Sequence, residues 1–596
     1  MLGPLDRRQL ITHLALLGLG STTLGTLKAC APRRKLVGEG PPKTTTTRYK
    51  NGAVAADHPL ASEVGVEVLR AGGNALDAAI AVNATLGVVR PYSCGLGGGG
   101  FLVAHDERSG RSWAMNARET APTGVWESYF TDLRSSGGPE GASRYGGHAV
   151  AVPGTADGLF LAHRTHGTMS MSRLLAPAAE IARTGFEADA SHVGAAESLA
   201  RVRRRLPWTK TISQWTWKQW CLDGAVEIGS KLSNHALADT LEALGRKGID
   251  AWRSGDIPTG LARVARASGG KLSVASLADY RAREIRPLTL ENRFFGDTIV
   301  TMPPPSSGGI AIAQILATYE RLLKAAGRPS LDSVMGRHLL IEAMKPAFAL
   351  RARYLADPEF APVPVDELLD EALVEKMVAE IEPGRARSAQ EIDEGLQLPE
   401  DEGTSHLCVI DGNRQAVAWT STINGTFGSF VGDPDSGILL NNEMDDFTTI
   451  QGEANLYGLR QSDWNLPVPG KRPLSSMSPT ILLGPEGDIE AIAGASGGPR
   501  IISATLQVLL GMTYGDLDAT SAIARSRVHH QWRPDSIRYE EDASQPSEDW
   551  QKALETMGHQ FDESPRGVAV VQAIRVHPDG FDPASDPRKL GVAAGY

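Results

Sequence analysis

The hydrophobic pattern of this chain changes character at residue 403, and that change restricts the folds open to it. Upstream, apolar residues recur mostly at helical spacing. From about Pro59 to Val89, the residues Leu60, Val64, Val66, Leu69, Leu76, Ala79, Ile80 and Val82 form a buried stripe that Gly72-Gly73 breaks in two. Further helices are expected at 156–166, 171–183, 234–247, 310–324 and 335–354. Downstream, 406–410 and 415–421 alternate like paired strands around the turn Asp411-Gly412-Asn413, 480–483 and 489–493 read as two more strands, and a helix follows at 501–511. Between the halves, residues 364–402 are acidic and poor in aromatics, and they read as a mobile, exposed end to the first half. Helices first and strands after, with no internal repeat, point to a layered α+β fold rather than separate beads.

Composition narrows the function classes. With 41% apolar residues in 596, a large core is available and wholesale disorder is excluded. Sixty Lys+Arg against 70 Asp+Glu leave a net charge of −10, which argues against a nucleic-acid partner. Cys30, Cys94, Cys221 and Cys408 are too few for a disulfide scaffold and too widely spaced for a metal knuckle.

The first residues read as an address. Arg7-Arg8 precedes an apolar stretch of ~14 residues, too short for a membrane span, which needs ~20, but suited to a signal-peptide core. The order Arg7-Arg8-Gln9-Leu10-Ile11 resembles a twin-arginine export signal. Leu27-Lys28-Ala29-Cys30 resembles a bacterial lipobox, which makes Cys30 a candidate lipid anchor despite the awkward Lys28. Residues 1–29 are therefore expected to be a signal peptide for export to the periplasm or cell envelope. Residues 30–50 are expected to be a linker, and no later apolar run approaches a membrane span.

Three motifs carry candidate chemistry. Gly95, Gly97 and Gly100 match G-x-G-x-x-G, but a dinucleotide site needs a helix next, and Phe101-Leu102-Val103-Ala104 reads as a strand. Close backbone packing is the better account of that run. Gly494-Ala495-Ser496-Gly497-Gly498 matches G-x-S-x-G between a strand and a helix, with His529, His530, His559 and His577 downstream. It admits a serine nucleophile, a plain glycine-rich turn, or an oxyanion site made by the N–H groups of Gly497 and Gly498. Gly403-Thr404-Ser405-His406 places a threonine directly before a strand. If the Gly403–Thr404 bond is cut, the new α-amine, with a pKa near ~7.7–8, becomes a general base for the Thr404 hydroxyl. His406 reads as a strand residue facing a neighbour.

The segments Thr420-Ser421-Thr422-Ile423-Asn424, Asn441-Asn442-Glu443-Met444-Asp445-Asp446-Phe447 and Lys471-Arg472-Pro473-Leu474-Ser475-Ser476-Met477-Ser478-Pro479 resemble the γ-glutamyltransferase (γ-glutamyltranspeptidase) family. The resemblance extends to Gly72–Ala79, Gly95–Gly100, Arg118-Glu119-Thr120-Ala121-Pro122, Val152-Pro153-Gly154-Thr155, Asp586-Pro587-Arg588 and Gly595-Tyr596, nearly everything from Lys50 onward in family order. It implies a four-layer αββα N-terminal-nucleophile hydrolase, made as one precursor that cuts itself between Gly403 and Thr404. A large subunit (51–403) and a small one (404–596) would then form one folded heterodimer.

By the same resemblance, Thr404 is the nucleophile, Thr422 steadies it, and Gly497 and Gly498 form the oxyanion hole. Arg118, Ser475 and Ser476 meet the α-carboxylate of a γ-glutamyl donor, Asn424, Glu443 and Asp446 its ammonium, and Tyr457 resembles a lid residue. Glutathione or a related compound is the implied donor, with water or an amino-acid or peptide amine as acceptor. No metal or organic cofactor is expected, because the chain supplies nucleophile, base and oxyanion hole. The alternatives are an acylase acting on glutaryl or other acyl amides, a Ser496-dependent α/β-hydrolase esterase, and a non-enzymatic exported binding lipoprotein. Departures from the family pattern are Arg90 before Pro91 and a Trp-rich stretch at 208–220; Arg201, Arg203, Arg204 and Arg205 before it read as a solvated helix face.

Two variants test the address. Replacing Arg7 and Arg8 by Lys is expected to leave the protein in the cytoplasm on cell fractionation. Cys30→Ala is expected to release the mature protein from membranes, and unchanged fractionation would sink the lipobox reading.

Overall fold

Side chains on a strand alternate between two faces, so a strand that is apolar on both must be covered on both. That is the case for the centre of this structure, a computed structural model that describes residues 47–392, 403–451, 461–541 and 547–596. The expected signal peptide with Cys30, most of the linker, and Tyr457 lie outside the described residues. In chain order, the strands of the two main sheets are β1 (Gly52–Ala56), β2 (Gly99–Asp106), β3 (Arg111–Ala117), β4 (Arg283–Ile285), β5 (Leu288–Phe294) and β6 (Asp297–Thr301). They continue with β7 (Ser405–Asp411), β8 (Gln415–Thr422), β9 (Thr480–Leu483), β10 (Ile489–Ser496), β11 (Val570–His577), β12 (Gly580–Ser585) and β13 (Val592–Gly595). The principal helices are α1 (Pro59–Arg70), α2 (Ala75–Val89), α3 (Thr155–His166), α4 (Met171–Thr184), α5 (His235–Lys247), α6 (Gly308–Ala325), α7 (Val334–Tyr354), α8 (Glu371–Ala379) and α9 (Arg500–Met512).

The first sheet runs β13-β1-β7-β8-β2-β3-β4 and the second β12-β11-β10-β9-β6-β5. Within β7 and β8, Leu407, Val409, Val417 and Trp419 join a core with α1 to α5, while Cys408, Ile410, Ala416 and Ala418 join a second core with Ile481, Ala491 and Ala493 of the other sheet. The second sheet is covered in turn by α6, α7 and α9. The layers are therefore helix, sheet, sheet, helix, as the family resemblance implies. Both sheets mix strands from the two sides of residue 403: β7, β8 and β13 sit among β1 to β4, and β9 to β12 beside β5 and β6. A cut at Gly403–Thr404 would leave every ladder intact.

The glycine run packs backbone on backbone. An added Cβ at Gly97 would stand 1.9 Å from the Leu439 carbonyl oxygen, and one at Gly98 1.9 Å from that of Thr422. Strand β2 starts at Gly99, so no helix follows the run to hold a dinucleotide.

Two expectations need correction. Residues 364–392 are not an exposed end. Leu368, Val374, Met377 and Ile381 are buried, and the Gln314 side chain of α6 donates to the Leu368 carbonyl at 2.8 Å. The acidic residues occupy the outer side of a short helical cover, which a count of charge and aromatics misses. Residues 393–402 lie outside the described residues. Nor are all four arginines before the Trp-rich stretch solvated. Arg201, Arg204 and Arg205 are exposed, but the Arg203 guanidinium lies 4.5 Å from the centre of the Trp217 ring. That stretch packs against the second half through buried Trp220, and the Thr216 hydroxyl donates to the Phe430 carbonyl at 2.8 Å.

Gly98→Ala would drive a methyl group into the Thr422 carbonyl. It is expected to lower stability by about 1–3 kcal/mol, read as a lower denaturant midpoint; a midpoint equal to wild type would contradict the close packing.

Candidate active site

Strand pairing places the threonine. In β7 and β8, Ser405 faces Ser421 and His406 faces Thr420, with the His406 Nδ1 2.8 Å from the Thr420 hydroxyl. This register brings Thr404, one residue before β7, beside Thr422 at the end of β8. The Thr404 hydroxyl donates to the Gly403 carbonyl at 2.6 Å, the Thr422 hydroxyl donates to the same oxygen at 2.9 Å, and the two hydroxyls are 3.2 Å apart. Two donors on one carbonyl withdraw electron density from its carbon, next to the hydroxyl of Thr404. Gly403 has no room for a side chain, because an added Cβ would lie 2.5 Å from the Asn424 carbonyl oxygen. On the far side, Lys589 Nζ donates to the Thr404 carbonyl at 2.7 Å and pairs with Asp57 at 2.8 Å.

A pocket opens beside Thr404, lined also by Arg118, Arg351, Thr422, Asn424, Glu443, Asp446, Ser475, Ser476 and Gly498, and enclosing about 310 Å³ of space that is partly open to solvent. Asn424 takes a left-handed conformation (φ 70°), its N–H bonded to the Thr422 hydroxyl at 2.8 Å and its side-chain amide donating to the Asn442 carbonyl at 3.0 Å. Arg118 is wholly buried and bound on all sides. It contacts the Glu443 carboxylate, reaches Asp446 Oδ2 at 2.6 Å, and donates to the carbonyls of Pro473 and Leu474. Burial alone would lower its pKa, but Glu443, Asp446 and Glu119 more than offset this and hold it above its ordinary value. Burial pushes the carboxyls of Glu443 and Asp446 up, with Arg118 opposing. A buried cation and two buried acids in one pocket suit a ligand that carries both an ammonium and a carboxylate.

The structure thus gathers Thr404, Thr422, Arg118, Asn424, Glu443, Asp446, Ser475, Ser476 and Gly498 around one cavity. Gly497 is not among its lining residues; it precedes Gly498 in the turn from β10 to α9, both at positive φ (138° and 59°). Among the described residues, no histidine is hydrogen-bonded to Ser496 of the serine elbow. Ser496 pairs with Val570 at one end of β11, and His577 is at the other end, seven residues or about 23 Å away. His529 bonds Ser503 and Gln531, His530 faces Asp535, and His559 faces His338. Among the described residues no group of three or more His, Cys, Asp or Glu is placed to hold a metal ion.

Three contacts around Thr404 and its pocket escaped the sequence. Arg351 sits on α7 in register with buried Met344, Ala347 and Phe348, and an arginine on an apolar stripe is a readable signal. Lys589 comes from 185 residues beyond Thr404, with no local pattern to announce it. Arg90 is buried, donates to the carbonyls of Asp57 and Lys589 at 2.8 and 2.9 Å, and pairs with Asp189, so it braces the Lys589 arm.

Residues 61–596 match the model of the gamma-glutamyltranspeptidase family. A glutathione hydrolase proenzyme from Pseudomonas sp. (strain A14) is 37% identical over 567 residues, 92% of this chain and 94% of the relative. Another, from Escherichia coli (strain K12), is 37% identical over 555 residues, 92% of each chain. The crystal structure of Helicobacter pylori gamma-glutamyltranspeptidase superposes with a TM-score of 0.52 at 32% identity, over 60% of this chain and 97% of that one. Cephalosporin acylase from Bacillus halodurans superposes with a TM-score of 0.80 at 24% identity, over 95% of this chain and 99% of that one, a likeness of fold. With its family model spanning all but the first sixty residues, the chain belongs to the gamma-glutamyltranspeptidase family.

Proposed function

We propose that this protein is a γ-glutamyltransferase and glutathione hydrolase that becomes active by cutting its own chain before Thr404. The observation that carries the reading is the juxtaposition of the Thr404 hydroxyl with Arg118, Glu443 and Asp446 in one pocket. The relatives named glutathione hydrolase proenzyme support both the activity and the precursor.

In the first step the Thr404 Oγ1 attacks the Gly403 carbonyl carbon, the C–N bond breaks, and an ester forms with release of the Thr404 α-amine. Water then hydrolyses that ester, leaving two chains held together by the shared sheets. In turnover, the α-amine takes the hydroxyl proton while Oγ1 attacks the γ-carbonyl of the donor. Gly497 and Gly498 present N–H groups to the oxyanion, Thr422 orients Oγ1, and the proton passes to the leaving amine. Water or an amino-acid or peptide amine then resolves the γ-glutamyl ester. The donor's α-carboxylate pairs with Arg118 and the hydroxyls of Ser475 and Ser476. Its ammonium pairs with Glu443 and Asp446 beside Asn424, so charges that pair with one another within the protein are matched again by those of the donor. Export with removal of residues 1–29 accompanies this reading, with Tyr457 as its lid.

A glutaryl donor lacks the ammonium, so the two carboxylates favour γ-glutamyl over glutaryl substrates. Asp446→Ala is expected to cost about 2–4 kcal/mol in transition-state binding, roughly 30- to 900-fold in kcat/KM for a γ-glutamyl anilide. Turnover of the glutaryl anilide is expected to be largely insensitive to the change. Equal losses for both donors would refute the ammonium assignment.

A further inference from the structure

Arg118 is saturated by its own chain, whereas a second buried guanidinium in the same pocket is not. Arg351 is 1% exposed and lines the cavity with Thr404, Asp446 and Ser476. Its Nε donates to the Ser307 hydroxyl at 2.8 Å and its Nη2 to the Ser476 hydroxyl at 3.1 Å. Its Nη1 is buried without a hydrogen-bond partner. Burial pulls its pKa down to about 10, with Asp446 opposing, so it remains a cation at neutral pH. A buried, charged donor left unpaired is costly, and the space that Arg351 lines is the donor pocket.

We propose that Arg351 is a specificity-determining residue that binds the α-carboxylate of the donor together with Arg118. The inference rests on the γ-glutamyl reading above and adds a residue to it. Arg351 acts in two ways. Its free Nη1 gives the carboxylate a charge-assisted hydrogen bond where Arg118 is already shared with Glu443 and Asp446. Its Nη2 occupies a lone pair of the Ser476 oxygen, which turns the hydroxyl proton away from the arginine and frees it to donate to the same carboxylate. The serine loop is held for this purpose from the other side. The Ser307 hydroxyl, itself bonded by Arg351, donates to the Ser475 carbonyl at 2.6 Å, and the Ser307 N–H donates to it at 2.7 Å.

The test compares two competitive inhibitors, L-glutamate and 4-aminobutyrate, which differ only in the α-carboxylate, against γ-glutamyl anilide turnover. Arg351→Met is expected to raise the inhibition constant of glutamate at least tenfold and that of 4-aminobutyrate less than twofold. Arg351→Lys, which keeps the charge but not the fork, is expected to fall between wild type and Arg351→Met. Equal weakening of both inhibitors, or an unchanged glutamate constant in either variant, would overturn the proposal. If Arg351→Met fails to fold, the Lys variant decides alone: a preferential loss of glutamate supports the assignment and an equal loss refutes it. A wild-type protein without γ-glutamyl turnover would instead refute the function on which the proposal rests.

Discussion

The position of β7 between β1 and β8 is the constraint on which the rest of the structure depends. Both neighbours bond to it along its length, β1 from the first half of the chain and β8 from the second. Thr404 thereby lies one residue before a central strand of a doubly covered sheet, held by neighbours on both sides. The same ladders bind the two halves across the Gly403–Thr404 bond, so a cut there would create two new termini while every pair of strands stays in place. The glycines at the start of β2 belong to this arrangement, because the backbones of Thr422 and Leu439 occupy the space where their side chains would lie.

Charge organises the second requirement. A pocket for a zwitterion must hold both signs of charge without leaving either unpaired when empty, since an uncompensated buried charge costs several kcal/mol. Pairing Arg118 with Glu443 and Asp446 meets that condition in the free protein. Behind Thr404, Lys589 is neutralised by Asp57 and holds the Thr404 carbonyl, while Arg90 ties the backbones of Asp57 and Lys589 together. The arginine that departs from the family pattern at position 90 therefore has a structural role.

The layered fold and most of the pocket were legible in the sequence because their signals are local. Alternation marks β7 and β8, and Gly72-Gly73 separates α1 from α2. The site residues sit in contiguous segments that resemble a family. What escaped is what needs distant partners. Leu368, Val374 and Met377 bury a segment whose composition reads as exposed, because α6 is there to receive them. Lys589 meets Thr404 only through the closing of the first sheet by β13 and β1. Arg351 stands out in the sequence as an arginine on an apolar helix stripe, but its partners Ser307 and Ser476 come from distant segments. G-x-S-x-G was ambiguous for the complementary reason: the motif is local, but the histidine that would make it a nucleophile elbow has to arrive from elsewhere, and among the described residues His529, His530 and His559 bond other partners.

The central claim is that Gly403–Thr404 is the bond cut to make the enzyme. N-terminal sequencing of the purified protein after denaturing electrophoresis tests it most directly. Wild type is expected to give two chains, the smaller beginning Thr-Ser-His-Leu, while Thr404→Ala remains one chain of nearly full length without γ-glutamyl turnover. A fully active single chain, or a small chain that begins elsewhere, would contradict the account.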